Sequence, residues 1–372
     1  MGTKSTALVI VLLAGLIAFG VITEYSTGEV DMRRGIKAPE IDSKSWFNTE
    51  PLKLKKLKGK LVLVDFWDYT CVNCLRTLPY LKLWHERYAD KGLVIIGVHA
   101  PEYEFARKEN NAAEAVRALG IEYPVVLDNE YETWEKYANR YLPQKYLIDS
   151  YGYINHEQIG EGGYRKMEER IQQLLREIDY NMELPPVAGA LREIDQPGAI
   201  CYESTPELYL GYRKARIGSM PELVFGKSEE YTAPEQFEEG FVFLNGLWNV
   251  QDEYVKHARK TDVHDDYIGL KYRASEVNMV VSPGEENGYN RYKAYVTLDG
   301  DYLTPDEAGD DIEYGHDGET YIIVDTPRLY NLVNSSRYGE NVLKVHFKNE
   351  GLEVYSFTFG SCVIPEMTSA VN

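Results

Sequence analysis

A C-x-x-C pair directly after an apolar segment constrains the fold of this chain more than any other feature. Residues 62–66 (VLVDF) form a short segment rich in β-branched and aromatic residues, which predicts a buried strand, and residues 75–88 carry apolar residues at helical spacing. Cys71 and Cys74 therefore lie at a strand-to-helix junction. The N-terminus of a helix stabilises negative charge, so we expect a lowered pKa and a nucleophilic thiolate at Cys71. Cys74, one turn into the helix, would then attack a mixed disulfide at Cys71 and close the pair.

The cysteines allow other interpretations. A zinc site at Cys71 and Cys74 would need two further ligands, and no second C-x-x-C or His pair appears in the sequence. A structural disulfide is the second alternative, but the strand-to-helix junction favours a redox role. Cys201 and Cys362 would form a disulfide if the first and last strands of the C-terminal half are neighbours, and two buried free thiols are the alternative.

Length and charge limit the class of protein. A chain of 372 residues predicts two or three domains, and 44% hydrophobic with 27% charged residues is typical of a globular protein. The net charge of −19 argues against nucleic acid or an anionic membrane surface as a charge-matched partner.

The N-terminal segment predicts a single membrane pass. Residues 6–22 contain no charge and are just long enough as a helix to cross the hydrocarbon core. No clear cleavage site follows, so we expect an uncleaved signal anchor over residues 1–23 rather than a signal peptide, followed by a polar tether over residues 24–37. This predicts a protein of the cell membrane whose folded domains lie on the extracytoplasmic side. Basic residues at Arg33 and Arg34 weaken that orientation.

Residues 38–180 predict a first folded domain. In it strands alternate with helices, and a β-hairpin followed by one helix forms its C-terminal end. This pattern is typical of a mixed α/β sheet covered by helices on both faces. The predicted strands are 62–66, 93–98, 123–127, 144–149 and 153–159, and the predicted helices are 75–88, 112–119, 131–141 and 164–178.

The rest of the chain predicts a second, all-β domain. Residues 181–198 contain three prolines and little periodicity, which indicates an interdomain linker. Residues 199–372 contain short alternating segments separated by Gly, Asp, Asn and Pro turns, the spacing expected of a β-sandwich. These segments are residues 240–244, 278–282, 292–298, 320–325, 343–347 and 354–359.

The segment VDFWDYTCVNCLRTLP resembles the active-site segment of thioredoxin-fold proteins, and among them the membrane-tethered TlpA- and ResA-like thiol-disulfide oxidoreductases. The resemblance implies that Asp65 is a buried carboxylate and that Pro143 is a cis-proline facing the dithiol. It also implies that Glu102 is an active-site glutamate. Asp65 and Glu102 are then the two candidate bases for Cys74. Val72-Asn73 replaces the Gly-Pro of thioredoxin, so the redox potential of thioredoxin does not carry over.

A second resemblance covers nearly everything after the predicted anchor. The segments CVNCLRTLPYL, YPVVLDNEYETW, NRYLPQKYLID and GLEVYSFTFG look like the soluble C-terminal part of the DipZ family. That family implies a thioredoxin-like domain followed by a jelly-roll sandwich similar to carbohydrate-binding modules, and a sugar is then a candidate ligand. One anchor stands in place of the multi-helix membrane domain, so electrons would come from a separate CcdA- or DsbD-like membrane protein. Extracytoplasmic disulfide-containing proteins, apocytochrome c among them, are the implied partners, and no cofactor or metal is expected.

These observations predict a membrane-anchored, extracytoplasmic thiol-disulfide oxidoreductase that acts as a reductant. A peroxiredoxin would need Thr or Ser three residues before its cysteine, and that position is Asp68. An oxidase of the same fold differs by its redox potential. A carbohydrate- or protein-binding surface protein with a vestigial redox domain is a further alternative. His99 has no motif partner and is expected to be structural.

Overall fold

A computed structural model describes residues 35–284 and 291–364. The predicted anchor, residues 1–23, and the predicted tether as far as residue 34 lie outside the described residues. Within the described ranges, no helix combines the length and the apolar character needed to cross a membrane.

The first domain is built on a six-stranded mixed sheet with strand order β1-β4-β3-β2-β5-β6. The central strands β2, β3 and β4 are parallel, and β1, β5 and β6 pair antiparallel with their neighbours. Every residue of β2 is buried, which is why its sequence is an apolar segment without alternation. The strands are β1 (Trp46–Phe47), β2 (Leu61–Trp67), β3 (Leu93–His99), β4 (Val125–Leu127), β5 (Gln144–Ile148) and β6 (Ile154–Ile159).

Four α-helices within the described residues cover this sheet. They are α1 (Val72–Tyr88), α2 (Glu109–Ala118), α3 (Glu132–Lys136) and α4 (Tyr164–Ile178). The predicted bounds of α4 are confirmed, but α3 is half the predicted length. The chain turns away after Lys136 because Ala138 has a positive φ of 48°, which ends the helical hydrogen bonding. Single 3₁₀ turns lie at Leu54–Lys56, Glu104–Arg107 and Glu193–Asp195.

The predicted linker packs against the first domain along much of its length. The Tyr80 hydroxyl on α1 donates to Asp195 Oδ2 at 2.7 Å. On α4, Gln172 Nε2 donates to the carbonyl of Pro185 at 2.7 Å. Residues 181–198 therefore run over the surface of α1 and α4 before they enter the β-rich part of the chain.

Residues 199–364 form the second part of the molecule, here called the β-domain. It contains an 11-stranded antiparallel sheet and a separate two-stranded pair, β7 with β19. The strands are β7 (Ile200–Cys201), β8 (Leu208–Tyr209), β9 (Ser228–Tyr231), β10 (Val242–Val250), β11 (Val255–His257), β12 (Tyr267–Ser282), β13 (Tyr292–Leu298), β14 (Asp301–Tyr302), β15 (Glu313–Tyr314), β16 (Thr320–Val324), β17 (Arg328–Phe347), β18 (Glu353–Gly360) and β19 (Cys362–Val363).

Two long strands, β12 and β17, organise the β-domain. They pair with each other along most of their length, and on its other edge β12 pairs first with β10 and then with β18. Since β18 also pairs with β11, the strands close around one apolar core that includes Trp248, Tyr330 and Phe347. The sequence predicts only the C-terminal end of each strand, residues 278–282 and 343–347, because polar residues interrupt the alternation further upstream.

The two domains share buried contacts beside the C-x-x-C helix. Tyr355 of β18 is 3% exposed, and its ring packs against Tyr103 and Phe105 of the first domain with centroid distances of 5.0 and 4.8 Å. The Tyr103 hydroxyl donates to Ser356 Oγ at 2.8 Å. The β-domain is therefore docked on the first domain through a continuous core.

Candidate active site

The two cysteines of the C-x-x-C pair occupy different environments at the start of α1. Cys71 is the N-cap residue, with extended backbone dihedrals, and its Sγ accepts a hydrogen bond from the Cys74 N–H at 3.2 Å. Cys74 is 1% exposed, whereas Cys71 is only partly buried and lines a cleft. The two form a disulfide. The N–H groups at the N-terminus of α1 favour a thiolate at Cys71. Because Cys71 lines the cleft and Cys74 is buried, Cys71 is the sulfur that a partner can reach.

Pro143 lies in a cis peptide bond with Leu142, as the resemblance implies. Pro143 is buried and begins the turn into β5, and its carbonyl accepts a hydrogen bond from the Gly160 N–H at 2.8 Å. Leu142 lines the same cleft as Cys71. The cis bond therefore lies at the wall of the cleft that holds the dithiol.

Asp65 is buried in the middle of β2 and faces a lysine that sequence reasoning missed. Asp65 pairs in register with Lys145 of β5, each side chain is 1% exposed, and Oδ1 lies 3.7 Å from Nζ. Burial raises the pKa of Asp65 to about 6 against the opposing charge of Lys145. Burial likewise lowers the pKa of Lys145, and the charge of Asp65 opposes this. The sequence signal for Lys145 is a single cation inside the mostly apolar strand QKYLI.

The side of the sheet on which Asp65 lies is set by strand alternation. Leu63 and Trp67, two positions before and after it, pack in the apolar cluster that also contains Cys74 and Leu78 of α1. The Asp65 carboxylate therefore belongs to the face of β2 that α1 covers.

A second buried acid, Asp68, organises the loop between β2 and α1. Its Oδ1 lies 3.0 Å from His99 Nε2, and its Oδ2 accepts from the Thr70 hydroxyl at 2.8 Å and from the Glu102 N–H at 2.7 Å. Burial alone would raise the pKa of Asp68, but the contacts to His99, Glu102 and Thr70 outweigh it and lower the pKa. The Asp68 carbonyl also accepts from the Cys71 N–H at 3.3 Å.

His99 thus has a buried partner, Asp68, although the sequence contains no motif that pairs the two residues. Its ring stacks on Tyr69 with a centroid distance of 5.4 Å. The pair Asp68–His99 joins the end of β2 to the end of β3, so it holds the loop that carries Cys71. Asp68 directly follows β2 and His99 is the last residue of the parallel strand β3, so the two lie at the same edge of the sheet, and this is the signal that could have found them.

Glu102 lies in the cleft on the Cys71 side rather than next to the buried face of α1. Its side chain reaches solvent through the cleft. Desolvation by the surrounding protein, then the negative charges of Asp68 and Glu207, raise the pKa of Glu102 to about 8, and Lys214 opposes them. The structure therefore separates the two candidate bases, with Asp65 on the Cys74 side and Glu102 on the Cys71 side.

The cleft itself has a volume of about 560 Å³ and two walls from different domains. The first domain supplies Cys71, Glu102 and Leu142, and the β-domain supplies Thr205, Glu207, Lys214 and Phe359. A salt bridge fixes the walls relative to each other, since Arg76 Nη2 on α1 lies 2.5 Å from Glu276 Oε2 on β12. Sequence reasoning did not place any β-domain residue at the dithiol.

Cys201 and Cys362 form a second disulfide, which answers the question that the sequence left open. It joins β7 to β19, the first and last described strands of the β-domain. Among the described residues, no group of three or more His, Cys, Asp or Glu side chains is arranged to hold a metal ion.

A dithiol at a helix N-terminus, a cis-proline at the cleft and a buried acid beneath the helix define a thioredoxin-fold thiol-disulfide oxidoreductase. Comparison with known families agrees with this class. Residues 35–157 match the AhpC/TSA family, and residues 205–360 match the family described as thioredoxin like C-terminal domain. The chain therefore contains a thioredoxin-like AhpC/TSA domain and is similar to DipZ, ResA and YkuV.

Three relatives show how far the likeness extends. Protein DipZ of Mycobacterium tuberculosis is 32% identical over 343 residues, which are 91% of this chain and 45% of DipZ. The chain thus spans about half the length of DipZ. The thiol-disulfide oxidoreductase ResA of Bacillus thuringiensis is 29% identical over an alignment that includes 45% of this chain and 93% of ResA. The thiol-disulfide oxidoreductase YkuV of Bacillus subtilis is 27% identical over an alignment that includes 38% of this chain and 95% of YkuV.

Proposed function

We propose that this chain reduces disulfide bonds in other polypeptides, with Cys71 as the attacking thiolate and Cys74 as the resolving thiol. The observation that carries the proposal is the asymmetry of the pair: Cys71 caps α1 and lines the cleft, while Cys74 is 1% exposed in the core. A peroxide reductase would need a hydroxyl side chain where Asp68 stands, and Asp68 is committed to His99, Thr70 and Glu102.

The proposed reaction has two exchange steps. The Cys71 thiolate attacks one sulfur of the partner disulfide, a Cys71–partner bond forms, and the other partner sulfur leaves as a thiolate. Cys74 then gives its proton to a base, and its thiolate attacks Cys71 Sγ. The Cys71–Cys74 disulfide forms, and the partner leaves with both of its sulfurs reduced. Asp65 is the base for Cys74 because it lies on the face of β2 that α1 covers.

The two-walled cleft supports an extended polypeptide segment as the substrate. Cys71 is only partly exposed between Leu142 of the first domain and Phe359 of the β-domain. A disulfide in a flexible segment can enter such a cleft more readily than a disulfide on the flat surface of a folded domain. The β-domain then selects substrates for the dithiol. A sugar bound to a carbohydrate-binding-module-like β-domain is a second proposal, supported by the cavity of about 920 Å³ between the domains, whose lining includes Asp311, Arg328 and Asn331.

Placement outside the cytoplasm completes the proposal. An anchor at residues 1–23 would hold both domains on the extracytoplasmic face of the cell membrane, and the disulfide Cys201–Cys362 suits an oxidising compartment. The electron donor would be a separate CcdA- or DsbD-like membrane protein, and apocytochrome c is one candidate substrate. A membrane-impermeant thiol reagent should label Cys71 in intact cells after mild reduction; labelling only after lysis would contradict the placement.

The reduction potential of the Cys71–Cys74 couple tests the direction of electron flow. A reductant should have a potential nearer the about −270 mV of thioredoxin than the about −120 mV of DsbA. Equilibration of the purified chain with glutathione or dithiothreitol buffers gives this value. A potential near that of DsbA would identify an oxidase, and a couple that these buffers cannot reduce would identify a structural disulfide.

A further inference from the structure

We propose that Thr358 of the β-domain is a catalytic residue of the dithiol: its hydroxyl donates a hydrogen bond to the Cys71 thiolate, so the second domain contributes to the nucleophile as well as to the cleft wall. The inference rests on the proposed attack by Cys71. It gives a partner to a polar group at the cleft that has none in the oxidised protein.

The first support is the unpaired hydroxyl itself. Thr358 lines the cleft together with Cys71 and Val72. Its Oγ1 is buried, and within residues 35–284 and 291–364 it has no hydrogen-bond partner. A buried hydroxyl without a partner is costly, and Val has nearly the same shape without that cost. Since the Cys71–Cys74 disulfide is closed in this structure, a sulfur that is freed on reduction fits as the missing partner.

The second support is the direction of the side chain. From Ser356 to Gly360, β18 pairs with β12 without a register shift. Phe357 lies in the apolar core of the β-domain and Phe359 packs against that core. Because side chains alternate along a strand, Ser356, Thr358 and Gly360 share the opposite face.

Both neighbours of Thr358 on this face meet the first domain. On one side, Ser356 Oγ accepts a hydrogen bond from the Tyr103 hydroxyl at 2.8 Å. On the other side, a Cβ on Gly360 would meet Arg76 Nη2 of α1. Thr358 therefore lies on the face of β18 that the first domain covers, between these two contacts.

The spacing of strand and helix places Thr358 at the first turn of α1. Two residues of β18 span about 6.6 Å, which separates Thr358 from Gly360. Four residues of α1 span about 6 Å, which separates Val72 from Arg76 on one side of the helix. Since Gly360 lies at Arg76, Thr358 lies at Val72, next to the N-cap residue Cys71.

A hydrogen bond from Thr358 would stabilise the charged form of the sulfur. A hydroxyl turns to suit its partner, and donation to a thiolate lowers the pKa of the thiol. In the first exchange step, Cys71 Sγ forms a bond to one partner sulfur, and the other partner sulfur leaves as a thiolate. Thr358 keeps its proton throughout, so the step needs no further proton donor or acceptor.

Other groups at the cleft also act on Cys71. The titratable and charged side chains that line the cleft beside it are Glu102, Tyr131, Arg140, Tyr141, Glu207 and Lys214. Behind the loop, Asp68 has a lowered pKa and stays ionised, and Arg76 on α1 is paired with Glu276. The pKa of Glu102 is about 8, so Glu102 titrates near the range of a thiol. The effect of Thr358 therefore has to be measured both with Glu102 and without it.

The experiment follows the two thiolate releases separately. The full chain is reduced under conditions that leave Cys201–Cys362 closed, with two titratable thiols, and is mixed rapidly with a symmetrical aromatic disulfide whose thiolate is coloured. Attack by Cys71 releases one thiolate, and closure by Cys74 releases the second. The rate of the first release against pH gives the pKa of Cys71. In Thr358→Val and Thr358→Ala this pKa should rise by about one unit.

Matched variants separate the hydroxyl from the rest of the site. Thr358→Ser keeps the hydroxyl and should keep the wild-type pKa of Cys71. Thr297→Val is the same change on β13, outside the cleft, and should not move that pKa. The rise caused by Thr358→Val should persist in a Glu102→Gln background. Far above the pKa of Cys71, the first release should be as fast in Thr358→Val as in the wild type, because the thiolate is then fully formed in both.

A hydroxyl that only packs between the domains would give a different result, because Thr358→Val would then slow the first release by the same factor at every pH. That outcome, or a wild-type pKa of Cys71 in both Thr358→Val and Thr358→Ala, would overturn the inference while the proposed function stands. Thr358→Val should also leave the denaturant midpoint of the oxidised chain unchanged or higher; a large fall would show that the hydroxyl is already paired and would overturn the inference too. Absence of any first release from the wild-type chain would overturn both.

Discussion

Asp65 and Lys145 face each other across adjacent strands, 80 residues apart in sequence, with 3.7 Å between Oδ1 and Nζ and 1% of each side chain exposed. A buried ion pair of this kind contributes little net stability as a pair. Loss of one partner is costly, because it leaves an uncompensated charge in the core.

The first prediction concerns this pair. Lys145→Met alone should lower the free energy of unfolding by up to about 3–5 kcal/mol at neutral pH, because it leaves Asp65 buried and unpaired. Adding Asp65→Asn should restore most of that loss, because no buried charge remains. Denaturant unfolding of the oxidised protein measures both values. A double variant no more stable than Lys145→Met would show that the two side chains are not coupled.

The second prediction is the pH dependence of stability. The pKa of Asp65 is about 6 in the folded protein, raised from 3.8. As the pH rises from the lower to the higher of these values, ionisation of Asp65 destabilises the folded state by about 3 kcal/mol in total. Relative to the variant lacking both charges, the wild-type protein should therefore lose stability between about pH 4 and pH 6.5. Parallel stability curves for the two proteins would contradict the raised pKa of Asp65.

The third prediction separates Glu102 from Asp65. Because the pKa of Glu102 is raised to about 8, its carboxyl gains a negative charge in the cleft as the pH rises through that value. That charge disfavours the Cys71 thiolate, so Glu102→Gln should increase the rate of the first thiolate release above pH 8 by up to about tenfold. Glu104→Gln, two residues further on and exposed, is the matched control. Identical profiles for wild type and Glu102→Gln would remove Glu102 from the Cys71 step.

The fourth prediction concerns the second disulfide. Cys201 and Cys362 close a loop with a sequence separation of 161 residues, and β7 and β19 pair through only two residue pairs. Replacing both cysteines by serine should lower the free energy of unfolding by about 2–5 kcal/mol. The two thiolate releases of the Cys71–Cys74 pair should persist. Unchanged stability in the double variant would mean that the disulfide does not hold the β-domain.

Local sequence patterns were sufficient to predict most of the helices and strands of the first domain. The apolar segment of β2, the helical spacing of α4 and the residues around Cys71 and Pro143 are contiguous in sequence, so propensity and motif are enough to place them. The predicted length of α3 was wrong because the left-handed backbone at Ala138 ends the helix. The pattern of apolar residues does not reveal that backbone conformation.

The missed features depend on residues far apart in sequence. The register that brings Lys145 opposite Asp65 and the buried pair Asp68–His99 follow from strand pairing, which a single sequence does not specify. The same holds for the β-domain wall of the cleft. Docking of the β-domain depends on the contact of Tyr355 with Tyr103 and Phe105. Nothing in the sequence distinguishes these three side chains from ordinary core residues.

The most direct test of the central claim is covalent trapping by the two single cysteine variants. Purified Cys74→Ser and Cys71→Ser proteins are each incubated with a disulfide-containing polypeptide and separated on a non-reducing gel. If Cys71 attacks and Cys74 resolves, Cys74→Ser should accumulate a covalent adduct through Cys71, and Cys71→Ser should form none. Adducts that accumulate only with Cys71→Ser would reverse the two roles. If neither variant traps a partner and the wild-type chain reduces no disulfide, the proposed reductase function is wrong.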